Sequence, residues 1–405
     1  VSVIMRGPIP PFSLLMERLE LMARIFADKE LAYLKEVLDG KRLGWRQGGM
    51  VTRLDEAFAR FVGARFGICR NSAMTALAQA VSISGAGCGD EVICDPLVHF
   101  GGVAALSFNC VPKFVDVRYD TYLMDPAEVQ KAVTKHTRAL IVTNLWGLCA
   151  ELDRIRAICR RHGIFMIEDC AHVIGARWKG RHAGTWGDVG CFSFQQGKHI
   201  CTGDGGIIVT DNADLHQKLY NEWAFKGESP SFLTLNFRMN ELTAAVGLAQ
   251  LERFPAYLKE YNENLARYNE AISGCRWLRM RTVPKEAQQV GYIWACLWEG
   301  DRHGLSYDRF KKIAQEEGVS FYYNFTERPA HQFPIFRKST AYHKKDCPIR
   351  CPFYKGTYTP ARSKTPVAAD ILNRVMLKGC VEADPEQVKK DCAGIRRIIQ
   401  RMGYE

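Results

Sequence analysis

From Phe66 to Thr210 the chain repeats short apolar runs rich in β-branched and aromatic residues, most of them separated by stretches with helical spacing. The runs are Phe66 to Cys69, Glu91 to Cys94, Lys113 to Val117, Ala139 to Thr143, Ile164 to Glu168, Gly190 to Phe194 and Gly206 to Thr210. Helical patterns occupy Met74 to Ser84, Pro126 to Val133 and Leu152 to Arg161. Short runs of this kind read as strands, and a 3.6-residue period reads as helix. Strands alternating with helices predict a mostly parallel sheet, its ligand site along the carboxyl ends of the strands. The last two runs are joined too closely for a crossover helix, which predicts an antiparallel pairing at the edge of the sheet.

After Asp211 the texture changes. Helical spacing dominates Ala213 to Phe225 and Glu241 to Ser273, the second as one long or bent helix around Pro255. A strand over Val290 to Trp298, a helix over Tyr307 to Glu317 and a final helix over Pro385 to Met402 predict a smaller α/β lobe, with Met16 to Leu38 packing against it. The expected division is an arm and helix over residues 1–40, a large domain over 41–255 and a small domain over 256–405. No internal repeat or low-complexity tract interrupts this plan.

A chain of 405 residues, 47% hydrophobic and 24% charged, has the length for two or three lobes and the apolar content for a large core. No window reaches the roughly 20 apolar residues that a bilayer span needs. The first fifteen or so residues lack the basic start and apolar core of a signal peptide and read as a loose arm. The net charge of +11 is scattered, without a zinc-finger, RNP or basic-helix pattern, so anionic small substrates are expected rather than nucleic acid. The cysteine count is fifteen, an odd number, spread through the apolar periodicity. Buried thiols in a reducing cytoplasm are expected, and neither Cys347 with Cys351 nor Cys88, Cys94 and His99 has zinc-site spacing, so no metal is expected.

Lys198 closes the segment Ser193-Phe194-Gln195-Gln196-Gly197-Lys198 and precedes Gly203-Asp204-Gly205-Gly206. A short strand therefore delivers an amine into a glycine-rich turn. An amine in a partly dry pocket can lose its proton and condense with an aldehyde, which points to Schiff-base catalysis. If the aldehyde is pyridoxal 5'-phosphate, its ring nitrogen needs a carboxylate, and Asp169 ends the apolar run Ile164 to Glu168. The phosphate needs a turn of N–H groups opening a helix, as at Arg70-Asn71-Ser72-Ala73-Met74-Thr75. The ring face wants an aromatic, and Phe100 follows another strand.

These features stand in one order together with Gly89-Asp90-Glu91-Val92-Ile93, Leu145-Trp146-Gly147, Glu168-Asp169-Cys170-Ala171-His172 and Asn236-Phe237-Arg238-Met239-Asn240-Glu241. The combination resembles the DegT/DnrJ/EryC1/StrS family of sugar aminotransferases, over most of the chain from about Gly44 to Val381. The resemblance implies the aspartate aminotransferase fold type I: a mostly parallel seven-stranded sheet with helices on both faces plus a smaller C-terminal α/β domain. It implies that Lys198 bonds the cofactor, Asp169 pairs with the pyridine nitrogen, Phe100 stacks on the ring and His172 lies near the ring hydroxyl. Ser193 and the backbone at Ala73 and Met74 would hold the phosphate. Asn236 would reach the phosphate of a neighbouring subunit, making the active unit a homodimer with shared sites. Arg238 would order that loop or contact an anionic substrate.

The chain departs from the family pattern at Ala73-Met74, where Gly-Thr is usual, so phosphate binding would lean on Thr75 or Ser193. Asp204 stands in place of a more frequent glutamate, and Thr234 in place of a glycine. The expected reaction is ping-pong transamination with Lys198 as proton carrier. The family acts on keto sugars, often nucleotide-linked, or ketocyclitols, and the Gln195-Gln196-Gly197-Lys198 segment favours glutamine or glutamate as donor. Asn324, Arg328 and His331 match the region that lines the acceptor pocket. A dehydratase or aromatase of the aminohydroxybenzoate synthase type is the nearer rival, and a non-catalytic scaffold the further one.

Overall fold

The computed structural model describes residues 26–224, 235–342, 346–381 and 383–403. The large sheet is built from β1 (Phe66–Arg70), β2 (Glu91–Cys94), β3 (Val111–Phe114), β4 (Thr137–Thr143), β5 (Phe165–Asp169), β8 (Val189–Ser193) and β9 (Gly206–Thr210). A short hairpin, β6 (Arg177–Trp178) and β7 (Arg181–His182), lies between β5 and β8. The spatial order is β1-β9-β8-β5-β4-β2-β3, and every strand runs parallel except β9. Near-continuous burial along these strands is what a sheet covered on both faces requires.

The expected antiparallel pairing of the last two strands is present, but it does not form the edge. Strand β9 lies between β8 and β1, pairing Ile207 with both Phe192 and Cys69. The edge falls to β1, whose pairing with β9 closes a long sequence separation that chain connectivity alone does not reveal. Strand β3 also sits earlier than the apolar run Lys113 to Val117. Its register pairs Val111 with Glu91 through Phe114 with Cys94. Asp116 instead accepts the N–H groups of Val367 and Ala368, at 3.0 and 2.9 Å.

Helices α1 (Asp28–Asp39), α2 (Met50–Val62), α3 (Ala73–Ile83), α4 (Phe100–Ser107), α5 (Pro126–Ala132), α6 (Leu152–His162) and α7 (Ala213–Ala224) accompany the sheet. Helix α3 starts where the Ser72 Oγ accepts the Thr75 N–H at 3.1 Å, a side-chain N-cap. The long helix α8 (Glu241–Ala271) runs unbroken through Pro255 and is capped by Asn240, which accepts from Thr243 N–H at 2.9 Å. Glu30 of α1 pairs with Arg253 at 2.6 Å and accepts from Gln250 at 2.7 Å, which fastens α1 to the first half of α8. The sequence predicts packing of Met16 to Leu38 against the smaller lobe, whereas Tyr33, Leu34 and Val37 pack on the core around the large sheet; residues 16–25 lie outside the described residues, as do Phe225 and Thr234.

A four-stranded antiparallel sheet, in the order β10 (Leu278–Met280), β12 (Ile293–Trp298), β14 (Val375–Gly379) and β13 (Tyr322–Tyr323), forms the second body. Helices α9 (Tyr307–Glu316) and α12 (Pro385–Met402) cover it, and α10 (Pro334–Arg337) and α11 (Pro366–Arg374) lie in the same stretch of chain. Strand β11 (Ala287–Gln288) joins the β6–β7 hairpin. We propose a large lobe over 41–255 and a small lobe over 256–405, preceded by an arm over 1–40. Support comes from two separate cores, one around the large sheet and one around Trp277, Trp298, Phe310 and Ile395. The cores interleave where Ala330, Phe336 and Ile371 return to the first. Strand β12 starts at Ile293 rather than Val290 because the preceding residues bond elsewhere. Val290 N–H donates to Gly147 O at 2.9 Å and Gly291 N–H to Asn262 Oδ1 at 2.7 Å.

Among the described residues no helix is long and apolar enough to cross a membrane. Among the described residues, which include all fifteen cysteines, there is no disulfide, and most of the cysteines are buried.

Candidate active site

Parallel strands gather their carboxyl ends on one side, so β1, β2, β5 and β8 deliver their following residues to a common edge. Strand β9 runs the other way, and its first residue, Gly206, pairs with both Arg70 and Ser193. Asp169 ends β5, Ser193 ends β8, the Ser72 cap follows β1, and Phe100 opens α4 after β2.

Lys198 sits in the turn after β8, its backbone N–H donating to Gln195 O at 2.9 Å. Its Nζ lies 3.0 Å from the hydroxyl of Tyr292. Tyr292, 6% exposed, is held between His172 and His199, with ring centroids 4.6 and 4.9 Å away. Phe325 closes this side, edge-on to Trp146 at 5.1 Å and 6.4 Å from His172. The sequence reading missed Tyr292, His199, Trp146 and Phe325. Trp146 stands within the Leu145-Trp146-Gly147 motif and Phe325 directly follows Asn324, whereas nothing local marks Tyr292, which reaches the lysine across a long sequence separation.

The electrostatics are those of a dry pocket. Burial pushes the Asp169 carboxyl above its ordinary range, while the Ala171 N–H and the Lys198 charge pull it back. Burial, with Lys198, His199 and Arg281 nearby, drives His172 well below the usual histidine range, so its ring is neutral. Its Nδ1 is buried without a hydrogen-bond partner among the described residues. Arg281 underpins the loop that carries Trp146, donating to Leu145 O and Thr121 O at 2.7 Å each.

At the far end, the first N–H groups of α3, at Ala73 and Met74, have no intrahelical acceptor, as in any helix N-terminus. Gly206 lies against them, and a Cβ there would fall 2.7 Å from the Ala73 nitrogen. Ser193 is buried and its Oγ accepts from Gln195 N–H at 3.3 Å. The Thr75 hydroxyl is engaged with Asn71 Oδ1 at 2.7 Å. Asn71 N–H donates to Phe237 O at 2.9 Å, which seats the Asn236–Arg238 loop beside the same turn, Asn236 itself being exposed.

The acceptor candidates do not form one group. Asn324 adopts a left-handed backbone, φ +55°, beside Phe325, and its Oδ1 is buried without a hydrogen-bond partner among the described residues. Arg328 pairs outward with Glu327 at 2.6 Å. His331 is buried, with contacts to Thr365 at 3.4 Å and to the Phe114 ring.

A planar aromatic aldehyde with a phosphate arm fits these residues. Asp169 is a buried carboxylate that a neighbouring cation would stabilise, and Phe100, the first residue of α4, is 44% exposed. The bare N–H groups of α3 form an anion seat kept open by Gly206. Fold and site together define a pyridoxal 5'-phosphate-dependent enzyme of the aspartate aminotransferase fold type. The comparisons narrow the class. Residues 25–361 match the DegT/DnrJ/EryC1/StrS aminotransferase family, and the chain belongs to that family of pyridoxal phosphate-dependent aminotransferases. It is 29% identical over 348 residues to the spore coat polysaccharide biosynthesis protein SpsC of Bacillus subtilis, covering 80% of this chain and 87% of that protein. It is 31% identical over 317 residues to a putative L-glutamine:3-amino-2,3-dideoxy-scyllo-inosose aminotransferase of Micromonospora echinospora, covering 75% of each chain. The fold is shared with an aminotransferase from Psychrobacter cryohalolentis, with a TM-score of 0.79 at 20% identity over 94% of this chain and 99% of that one.

Proposed function

We propose that this enzyme transfers an amino group from glutamine or glutamate to a keto sugar or a ketocyclitol, with Lys198 as its catalytic amine. The observation that carries the reading is the placement of Lys198 in the turn after β8, at the edge where β5 and β8 end, with its charge acting on buried Asp169. The likeness to a protein named as a glutamine-dependent cyclitol aminotransferase supports that donor and a cyclic ketone as acceptor.

When bound, pyridoxal 5'-phosphate supplies an electron sink that stabilises negative charge on the carbon losing its proton. The chain supplies the rest. Lys198 Nζ takes the α-proton of the amino donor, breaking the C–H bond and forming N–H, and later returns a proton during the second half of the cycle. Asp169, short of a cation in its dry pocket, holds the pyridine nitrogen protonated. Neutral His172 offers Nδ1 to the ring hydroxyl, and Phe100 covers a ring face. Ser193 and the N–H groups of Ala73 and Met74 receive the phosphate. Asn236, on an exposed loop beside that turn, reaches the phosphate seat of a second subunit, so the working unit is a homodimer. Arg238 steadies that loop, and Asn324, the acceptor candidate nearest Phe325, binds the acceptor's hydroxyl groups. Arg328 and His331 stand further out, Arg328 as the charge available to an anionic group on the acceptor and His331 as support for the pocket wall.

The test is a half-reaction screen in which single amino acids are added to the loaded enzyme and the cofactor absorbance is followed. Glutamine or glutamate is expected to change the spectrum with stoichiometric release of the oxo acid. Lys198→Ala is expected to abolish both; full activity in that variant overturns the reading. Release of water without oxo acid would select dehydration instead.

A further inference from the structure

The contact between Lys198 and Tyr292 joins the two bodies of the molecule at the catalytic amine. Tyr292 belongs to the approach to β12, whereas Lys198 follows β8 of the large sheet. Its backbone is fixed on every side. The carbonyl of Tyr292 accepts from Cys380 N–H at 2.9 Å and Val381 N–H at 3.3 Å. Gly291, next to it, donates to Asn262 of α8 at 2.7 Å, and a Cβ at Gly291 would collide with the Tyr261 carbonyl. Val290 bonds to Gly147 O at 2.9 Å. The ring is clamped between two imidazoles, so the hydroxyl has little freedom to leave the amine.

A phenol is both donor and acceptor. It therefore keeps its bond to Lys198 whether the amine is neutral, when the hydroxyl donates, or protonated, when the hydroxyl oxygen accepts. A charge-assisted bond is roughly twice as strong as a neutral one. Tyr292 consequently favours the moment at which the amine has taken up the donor's proton, without fixing the charge permanently as a carboxylate would. We propose that Tyr292 is the positioning residue of the catalytic amine, holding Lys198 in place through proton uptake and release and tying that geometry to the small lobe. The inference rests on the proposed role of Lys198.

Among the described residues, the charged and titratable groups near Lys198 include Asp169 from β5, His172 from the loop after it, Tyr292 from the approach to β12 and, against the Tyr292 ring, His199. Tyr292→Phe keeps the ring between the imidazoles and removes only the hydroxyl. Turnover with glutamate is expected to fall on the order of 10 to 100-fold, with KM for the donor within about twofold, the scale of a misplaced catalytic group. In the cofactor-free protein, the acetylation rate of Lys198 by acetic anhydride at one fixed pH, read by peptide mass spectrometry relative to the other lysines, is expected to rise several-fold in Tyr292→Phe as the amine loses the hydroxyl that holds it. A structural role alone would lower the melting temperature and leave that relative rate unmoved. Turnover within about twofold of the parent, or a relative rate that stays or falls, overturns the proposal. Tyr292→Leu, which also removes the stack, is expected to lose more activity than Tyr292→Phe; equal activity of the two at the parent level overturns it as well. Activity surviving in Lys198→Ala instead overturns the role of the lysine itself.

Discussion

Glu168 and Asp169 are adjacent on β5 and serve opposite faces of the sheet. Glu168, fully buried, accepts the N–H groups of Gly184, Trp186 and Gly187 at 2.8, 2.7 and 2.7 Å, while the charge of Lys198 acts on Asp169. Alternation along a strand forces this separation. The first carboxylate organises the loop before β8, and the second is the one proposed to pair with the cofactor. Asp169→Asn is therefore expected to lose at least 100-fold in turnover while thermal melting stays within a few degrees, since it removes a buried charge without orphaning a loop. Glu168→Ala is expected to cost about 3 kcal/mol in urea unfolding, because one buried and two part-buried donors lose their acceptor.

Asp95 follows β2, where its Oδ1 accepts from Leu97 N–H at 2.7 Å and its Oδ2 is buried without a partner among the described residues. Burial pushes its carboxyl up to about 7, with Asp169 and Asp116 adding to the effect. A carboxyl raised on folding binds its proton more tightly in the native state. The native state is thus favoured below the ordinary carboxylate range and loses that advantage as pH rises towards 7. Asp95→Asn is expected to flatten the fall in stability between about pH 4 and pH 8, a span of at most about 4 kcal/mol for a shift of this size. Urea midpoints of both proteins across that range provide the check.

Gly206 keeps the start of α3 against the sheet. In Gly206→Ala the new methyl would lie 2.7 Å from both the Ala73 nitrogen and the Phe192 carbonyl oxygen, so the helix end must move. Overpacking of this kind costs roughly 1 to 3 kcal/mol. The dissociation constant for pyridoxal 5'-phosphate is expected to rise about tenfold or more, measured by titration of the cofactor-free protein.

Gly147 has φ +82°, and a Cβ there would collide with the Val290 carbonyl. Gly147→Ala is expected to break the Val290 bond, lower stability by about 2 kcal/mol or more and impair turnover through Tyr292. Calorimetry and steady-state rates report the two effects separately.

The large sheet was legible in the sequence because each strand is a short, mostly apolar run, and buried parallel strands need no other pattern. Helix α8 was equally legible, for Pro255 falls where packing overrides the lost hydrogen bond. The interior position of β9 was not, because its pairing with β1 is set by tertiary contact and leaves no local mark. Within the site, Lys198, Asp169 and Ser193 announce themselves as strand-end residues next to motifs. Tyr292 is silent, since an aromatic at the head of an apolar strand reads as core. Asn324, Arg328 and His331 lie close in sequence yet part company in space, since the 3-10 turn at Ala330–Gln332 folds His331 back towards Phe114.

Helix α8 begins against Met50 and the large core and ends among Leu265, Tyr268 and the second core. One rigid rod thus threads both halves, and neither half possesses a complete interior without it. Melting is expected to be a single event, and a protease cut within the rod would cripple the whole molecule rather than liberate a durable fragment.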